Sequence, residues 1–181
     1  MKNDMNSFRF KHLENEDIPV YIDEMFAILA GNMREIAPTG NSYDEDKMIW
    51  SECAVPAWRE GKNSVILIFD EDKLCGYFQY SVTDTTFRME EIQFKKEYHG
   101  SGLFAELYRY LTALIPTQTK YVDAFSAKEN IRSQEILKHL GLTVTGENKN
   151  GRSLHFLGEY KTLAERYSVK PEPGRTDKSR E

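Results

Sequence analysis

The sequence is poor in cysteine and has no long apolar run. Two cysteines among 181 residues are too few for a disulfide framework or a cysteine-rich metal cluster. No stretch approaches the roughly 20 apolar residues of a membrane span, and the first residues lack the basic start and apolar core of a secretory signal. We therefore expect a cytoplasmic protein that binds no metal ion and does not insert into a membrane.

The chain also has no excess of basic residues. Its 24 Lys and Arg against 29 Asp and Glu give a formal net charge of -5, whereas binding to nucleic acid phosphates depends on many clustered basic side chains. Nucleic acid is therefore not an expected partner. The 40% hydrophobic content is that of an ordinary globular protein.

One domain is predicted over residues 1–160, followed by a charged extension over residues 161–181. From about Val169 the chain is charged, contains proline and shows no apolar periodicity, so the extension is predicted to be at least partly disordered. The oligomeric state is open, and a homodimer is one possibility.

Strand and helix patterns alternate between residues 8 and 157, which indicates an α/β fold of the α+β type. Helices are expected to begin near Asp17, at Ser42, at Leu103 and at Asn130. Short strand patterns occur at residues 8–13, 64–69, 74–82, 86–95, 121–126, 142–145 and 153–157.

The strand at residues 86–95 has conflicting parity. Phe87 and Met89 are apolar on one parity, whereas Ile92 and Phe94 are apolar on the other. One extra residue at a β-bulge, at Glu90 or at the residue after it, would bring all four onto one face. A strand buried on both faces explains the pattern equally well.

Gly100-Ser101-Gly102 lies between this strand and an amphipathic helix. Glycines at a helix N-terminus leave backbone N–H groups accessible to an anion, and the helix dipole favours negative charge there. The alternative is that the glycines serve chain geometry alone. A Rossmann dinucleotide motif is disfavoured because several elements precede these glycines.

These residues resemble the pyrophosphate motif of the GNAT superfamily of N-acetyltransferases, Gln/Arg-x-x-Gly-x-Gly/Ala, which falls on residues 97–102. A second motif of that family, Asn-x-x-Ser/Ala followed by Gly and an apolar residue, falls on Asn130 to Ser133 and on Gly141-Leu142. The resemblance implies a GNAT-like fold, with a mixed, mainly antiparallel twisted sheet of about six to seven strands and about four flanking helices.

The resemblance also implies acetyl-CoA as cosubstrate and a primary amine, on a small molecule or a peptide, as acceptor. The amine would attack the thioester directly in a ternary complex, and residues 32–61 would form much of its pocket. The residues that the resemblance assigns to the cofactor are Ile92, Gln93, Phe94, His99, Gly100, Ser101, Gly102, Leu103, Phe104, Asn130 and Ser133.

Glu90 and Glu91 are the candidates for the base that removes a proton from the acceptor ammonium; the alternative is a solvated strand edge. Two departures from the family pattern matter. Glu97 stands where the family has Gln or Arg, and Leu137 stands where many members have a tyrosine thought to protonate the departing thiolate. A non-catalytic acyl-CoA sensor and a plain interaction domain are therefore competing hypotheses.

Overall fold

The computed structural model of the chain describes residues 8–168. Their elements, in chain order, are β1 Arg9–His12, α1 Ile18–Met33, α2 Tyr43–Arg59, β2 Ser64–Asp70, β3 Lys73–Val82, β4 Thr86–Phe94, α3 Leu103–Leu114, β5 Tyr121–Ala127, α4 Ile131–His139, β6 Thr143–Glu147, β7 Ser153–Glu159 and α5 Tyr160–Tyr167. None of these helices is long and apolar enough to cross a bilayer.

The seven strands form one sheet in the order β1-β2-β3-β4-β5-β7-β6. Every neighbouring pair is antiparallel except β4 with β5, which run parallel. This arrangement confirms the predicted mixed, mainly antiparallel sheet. The parallel pair is joined by α3, because a parallel connection needs a crossover that returns the chain to the same edge.

Helices cover both faces of the sheet. Val65, Leu67 and Phe69 of β2 pack with α1 and α2 in one apolar cluster, whereas Ile66 and Ile68 pack with α3, α4 and α5 in the other. Successive side chains of a strand point to opposite faces, so the uninterrupted apolar run of β2 places it in the centre of a three-layer fold.

Helix α2 begins where the sequence predicts it. The Ser42 side chain accepts a hydrogen bond from the N–H of Glu45, and the Glu45 carboxylate accepts one from the N–H of Ser42 at 2.8 Å. This reciprocal capping box satisfies two backbone donors that the helix itself leaves without partners.

Helix α5 was not predicted from the sequence, which had ended the domain at residue 160. Its Leu163 is 1% exposed, and the ring of Tyr167 lies 5.1 Å from that of Tyr108 on α3. Eight residues with a mostly charged surface give too little periodic signal to predict a helix. The predicted disorder from about Val169 onward falls outside the described residues.

Replacing glycine by alanine should have opposite effects on the free energy of unfolding at two positions. A Cβ at Gly76 of β3 would lie 2.5 Å from the Gln93 carbonyl oxygen, whereas one at Gly31 of α1 would meet nothing within 4 Å. Gly76→Ala should lower the free energy of unfolding by about 1–3 kcal/mol, because the β4 backbone must shift. Gly31→Ala should raise it by about 0.5–1 kcal/mol. Urea denaturation measures both, and equal effects would contradict the described approach of β3 to β4.

Candidate functional site

Strand β4 contains a β-bulge, which is one of the two explanations that its apolar parity allowed. Gln79 of β3 pairs with Glu91 and the next residue, Tyr80, pairs with Met89, so Glu90 is the extra residue. The bulge reverses the facing of the second half of β4. The apolar residues on its two sides therefore reach the same core cluster.

Strands β4 and β5 pair over only half of their length. The parallel register joins residues 86–89 to residues 121–124, and β5 then continues to Ala127 paired with β7 alone. A gap thus opens between the strands beyond Met89 and Ala124.

The free edge of β4 presents peptide groups to this gap. Lys95 donates its backbone N–H to the Cys75 carbonyl at 2.8 Å, which makes the pair of Gly76 and Phe94 a non-hydrogen-bonded one. In such a pair the N–H and C=O groups point away from the partner strand. By the same alternation the peptide groups of Ile92 and Phe94 face the gap.

A cavity of about 1260 Å³ occupies the gap and its surroundings. Its walls come from α1, β4, the start of α3, the end of β5 and α4. The predicted site residues in its lining are Glu90, Glu91, Ile92, Gln93, Phe94, His99, Gly100, Gly102, Phe104, Asn130 and Ser133. The structure does not bring Ser101 and Leu103 into the lining: Ser101 is exposed and the Leu103 side chain is fully buried in the core.

The turn before α3 is open, as an anion site requires. Gly100 and Gly102 have φ angles of +82° and +89°, and a Cβ on either would meet nothing within 4 Å. Ser101 donates its hydroxyl to the Tyr98 carbonyl at 2.7 Å. Within residues 8–168, the backbone N–H groups of Gly100, Gly102 and Phe104 donate to no protein acceptor. These donors gather at the N-terminus of a twelve-residue helix, where the dipole adds positive potential.

A cation that sequence reasoning missed lies beside this turn. Arg132 of α4 is exposed and lines the cavity. Burial lowers the pKa of His99 below its ordinary value of 6.5, and the charge of Arg132 lowers it further. The lowered pKa favours the neutral form of His99, and Arg132 supplies a permanent positive charge beside the turn. The sequence signal was its place inside the motif that begins at Asn130, whose side chain caps α4 by accepting the Ser133 N–H at 3.0 Å.

Glu91 is half-buried as a residue, and its carboxylate is largely removed from water and has neutral partners. Tyr77 donates its hydroxyl to Glu91 Oε1 at 2.8 Å, and Gln93 donates an amide N–H to the same atom at 3.3 Å. Burial raises the pKa of Glu91 above 4.5, while hydrogen bonds from Tyr77, Gln93 and Trp50 oppose that rise. In the described range no Lys, Arg or His pairs with it.

Glu90 has a different environment. It is exposed, and its carboxylate accepts a hydrogen bond from the Ser81 hydroxyl at 3.0 Å. The two neighbouring carboxylates are therefore not equivalent. The sequence could not rank them, because the bulge decides which one is buried.

The two departures from the family pattern, Leu137 and Glu97, lie in different surroundings. Leu137 is 7% exposed and lines the cavity, while Glu97 is exposed and outside the lining. Residues 32–36 are the part of the predicted acceptor segment that lines the cavity. Trp50 and Trp58 instead pack on each other, with ring centroids 5.6 Å apart.

Replacing Glu91 should change how stability depends on pH. A carboxyl whose pKa is raised by folding stabilises the folded protein below its unfolded pKa, and this contribution is lost as the pH rises through the folded pKa. The difference in unfolding free energy, wild type minus Glu91→Gln, should therefore fall as pH rises above 4.5. Urea denaturation from pH 4 to 8 measures it. The exposed-site variant Glu90→Gln is the control, and the same trend in both variants would contradict the assignment to Glu91.

No protein-family model and no curated protein matched the sequence. Solved structures did match. The PaiA N-acetyltransferase of Thermoplasma acidophilum, in complex with coenzyme A, has a TM-score of 0.64 and 13% identity over 85% of this chain and 99% of its own. An acetyltransferase of the GNAT family from Desulfovibrio desulfuricans has a TM-score of 0.60 and 13% identity, covering 84% and 99%.

A third similar structure is the spermidine N-acetyltransferase of Vibrio cholerae, in complex with coenzyme A and spermine. Its TM-score is 0.57 and its identity is 14%, over 86% of this chain and 97% of its own. At these identities the likeness concerns the arrangement of elements, and in each case that arrangement spans nearly all of the compared chain. Residues 8–168 of the chain have the fold of the GNAT acetyltransferases.

Proposed function

We propose that the chain is an N-acyltransferase that moves an acetyl group from acetyl-CoA to the primary amine of an acceptor. The observation that carries the proposal is the gap between β4 and β5, which has the open glycine turn on one side and the buried carboxylate of Glu91 on the other. A thioester held in such a gap would be accessible to an amine beside Glu91.

The gap suits a cofactor arm that contains amide groups. Beyond Met89, β4 has no partner strand on its gap side, and an extended chain with amides binds such an edge much as an added strand does. The peptide groups of Ile92 and the N–H of Phe94 face this edge, whereas the Phe94 carbonyl accepts a hydrogen bond from Asn32. At the far end, the N–H groups of Gly100 and Gly102 suit a diphosphate. Arg132 lines the same cavity and adds a charge that favours an anion.

Glu91 supports an amine as the acceptor. A buried carboxylate without a cationic partner has a desolvation cost that a substrate ammonium group would offset. Spermidine, the substrate named for one similar structure, is such an amine. We infer that the acceptor of this chain is likewise a primary amine, on a small molecule or a peptide.

The reaction proposed for these groups is direct transfer. Glu91 takes a proton from the bound ammonium, and the resulting neutral amine attacks the carbonyl carbon of the thioester. The new C–N bond forms and the C–S bond breaks, with the bonding electron pair leaving on the sulfur. The nitrogen then loses its second proton, which the thiolate takes up, so that the products are the N-acetylated acceptor and the free thiol of coenzyme A. A backbone N–H on the gap side of β4 stabilises the negative charge that develops on the carbonyl oxygen.

Filling the glycine turn should abolish cofactor binding. Gly102→Trp places an indole over the N–H groups that would contact the diphosphate, and isothermal titration with acetyl-CoA should then show no binding. Gly61→Trp is the matched control, because Gly61 also has a positive φ of 68° and no atom within 4 Å of its Cβ position. Undiminished affinity in Gly102→Trp would refute the assigned phosphate site.

Replacing the base should separate binding from catalysis. Glu91→Gln should lower kcat by a factor of about 10² to 10⁴, with acetyl-CoA affinity unchanged, because the proton acceptor is lost and the turn is intact. Thiol release with a panel of primary amines measures the rate. If Glu90→Gln lost the activity instead, the exposed carboxylate would be the base.

A second function is favoured by one observation. Leu137 places an apolar side chain in the cavity where many similar enzymes have a tyrosine, which suits a protein that binds acyl-CoA without turnover. Tight acetyl-CoA binding by the wild type, with no thiol release from any amine of the panel, would establish that sensor function.

A further inference from the structure

Asn32, at the end of α1, contacts two neighbouring residues of β4 in the candidate site. Its side-chain amide donates to Gln93 Oε1 at 2.9 Å and to the Phe94 carbonyl oxygen at 2.9 Å. An amide NH₂ group has two hydrogens, and these two contacts use both. Phe94 belongs to the free edge of β4, and Gln93 is the residue that donates to Glu91.

The direction of these hydrogen bonds fixes the orientation of Gln93. A glutamine side chain can present either its oxygen or its NH₂ group to a given neighbour. Because Asn32 donates to Oε1, the NH₂ group of Gln93 must face Glu91. A carboxylate that accepts a hydrogen bond in its charged form is stabilised in that form.

We propose that Asn32, acting through Gln93, is a positioning residue that keeps Glu91 ionised and aimed at the gap, and that it links this carboxylate to the cofactor-facing edge of β4. This inference deepens the proposed function and rests on it for the role of Glu91. The geometry itself stands without that role, since Asn32, Gln93 and Glu91 are joined by hydrogen bonds in one partly buried network.

The other groups around Glu91 keep one charge and one hydrogen-bonding role, which leaves the Asn32–Gln93 pair to adjust its ionisation. Tyr77 of β3 is held neutral, because burial and the charge of Glu91 raise its pKa well above 10. Trp50 of α2 donates but does not titrate. The other carboxylates of the cavity on this side, Glu35 and Glu90, are exposed.

The test is Asn32→Asp, which has nearly the same shape but accepts where the amide donates. Gln93 is then expected to turn its NH₂ group toward the new carboxylate and its oxygen toward Glu91. The pKa of Glu91 should rise by about one unit or more. Carboxyl ¹³C NMR of glutamate-labelled protein, assigned with Glu91→Gln, measures that pKa without any substrate.

The same variant has a kinetic readout. The acidic limb of the profile of kcat/KM against pH should move upward in parallel with the NMR titration, and kcat should recover at high pH. A loss of activity that is uniform across pH would indicate a structural effect and overturn the proposal. Gln93→Leu, which removes the donor directly, must move the Glu91 titration in the same direction.

Glu24→Gln is the matched control on α1. Glu24 pairs with Lys95 at 2.7 Å and so also connects α1 to the end of β4, but it contacts neither Gln93 nor Phe94. The Glu91 titration should be unchanged in this variant, and a shift equal to that of Asn32→Asp would refute the specific role. If the wild type shows no acetyl transfer but the variants show the expected changes in the Glu91 titration, the proposed function is rejected and the hydrogen-bond network is retained.

Discussion

The site depends on one interruption of hydrogen bonding, the single extra residue at Glu90 of β4. Because Glu90 has no partner in β3, the strand bends and its second half leaves β5. The gap follows from that departure, and so do the backbone N–H groups of Ile92 and Phe94 that face it. Regular pairing at this point would continue the contact of β4 with β5 and leave no opening between them.

Charge is separated across the opening. On the α3 and α4 side, backbone N–H groups and Arg132 favour an anion; on the α1 and α2 side, Glu91 and the exposed carboxylates favour a cation. A molecule with phosphates at one end and a neutral reacting group at the other fits the first side, and an amine fits the second. In the proposed reaction, such an arrangement would bring the two reactants together from opposite faces of one sheet, as transfer without a covalent intermediate requires.

Much of this was predictable from sequence, and the reasons differ by residue. The parity conflict between Met89 and Ile92 allowed a bulge or a strand buried on both faces, and two glycines at a strand-to-helix junction allowed an open anion site or a purely geometric turn. Asn32 and Arg132 were missed because a single polar residue on a helix has no periodic signature, and its role depends on distant partners. Helix α5 was missed because its contacts with α3 join residues far apart in the chain. The ranking of Glu91 over Glu90 required the phase of the bulge, which only the three-dimensional register supplies.

The bulge has an evolutionary consequence for strand length. Substitution at Glu90 changes one exposed side chain, whereas deletion of Glu90 would leave Met89 and Glu91 as neighbours opposite Tyr80 and Gln79, so that β4 would pair regularly with β3. Ile92 and Phe94 would keep their partners in β3 and their places against the apolar core cluster, but the bend that separates β4 from β5 would be lost. Natural variation should therefore replace Glu90 freely while conserving the number of residues in this segment.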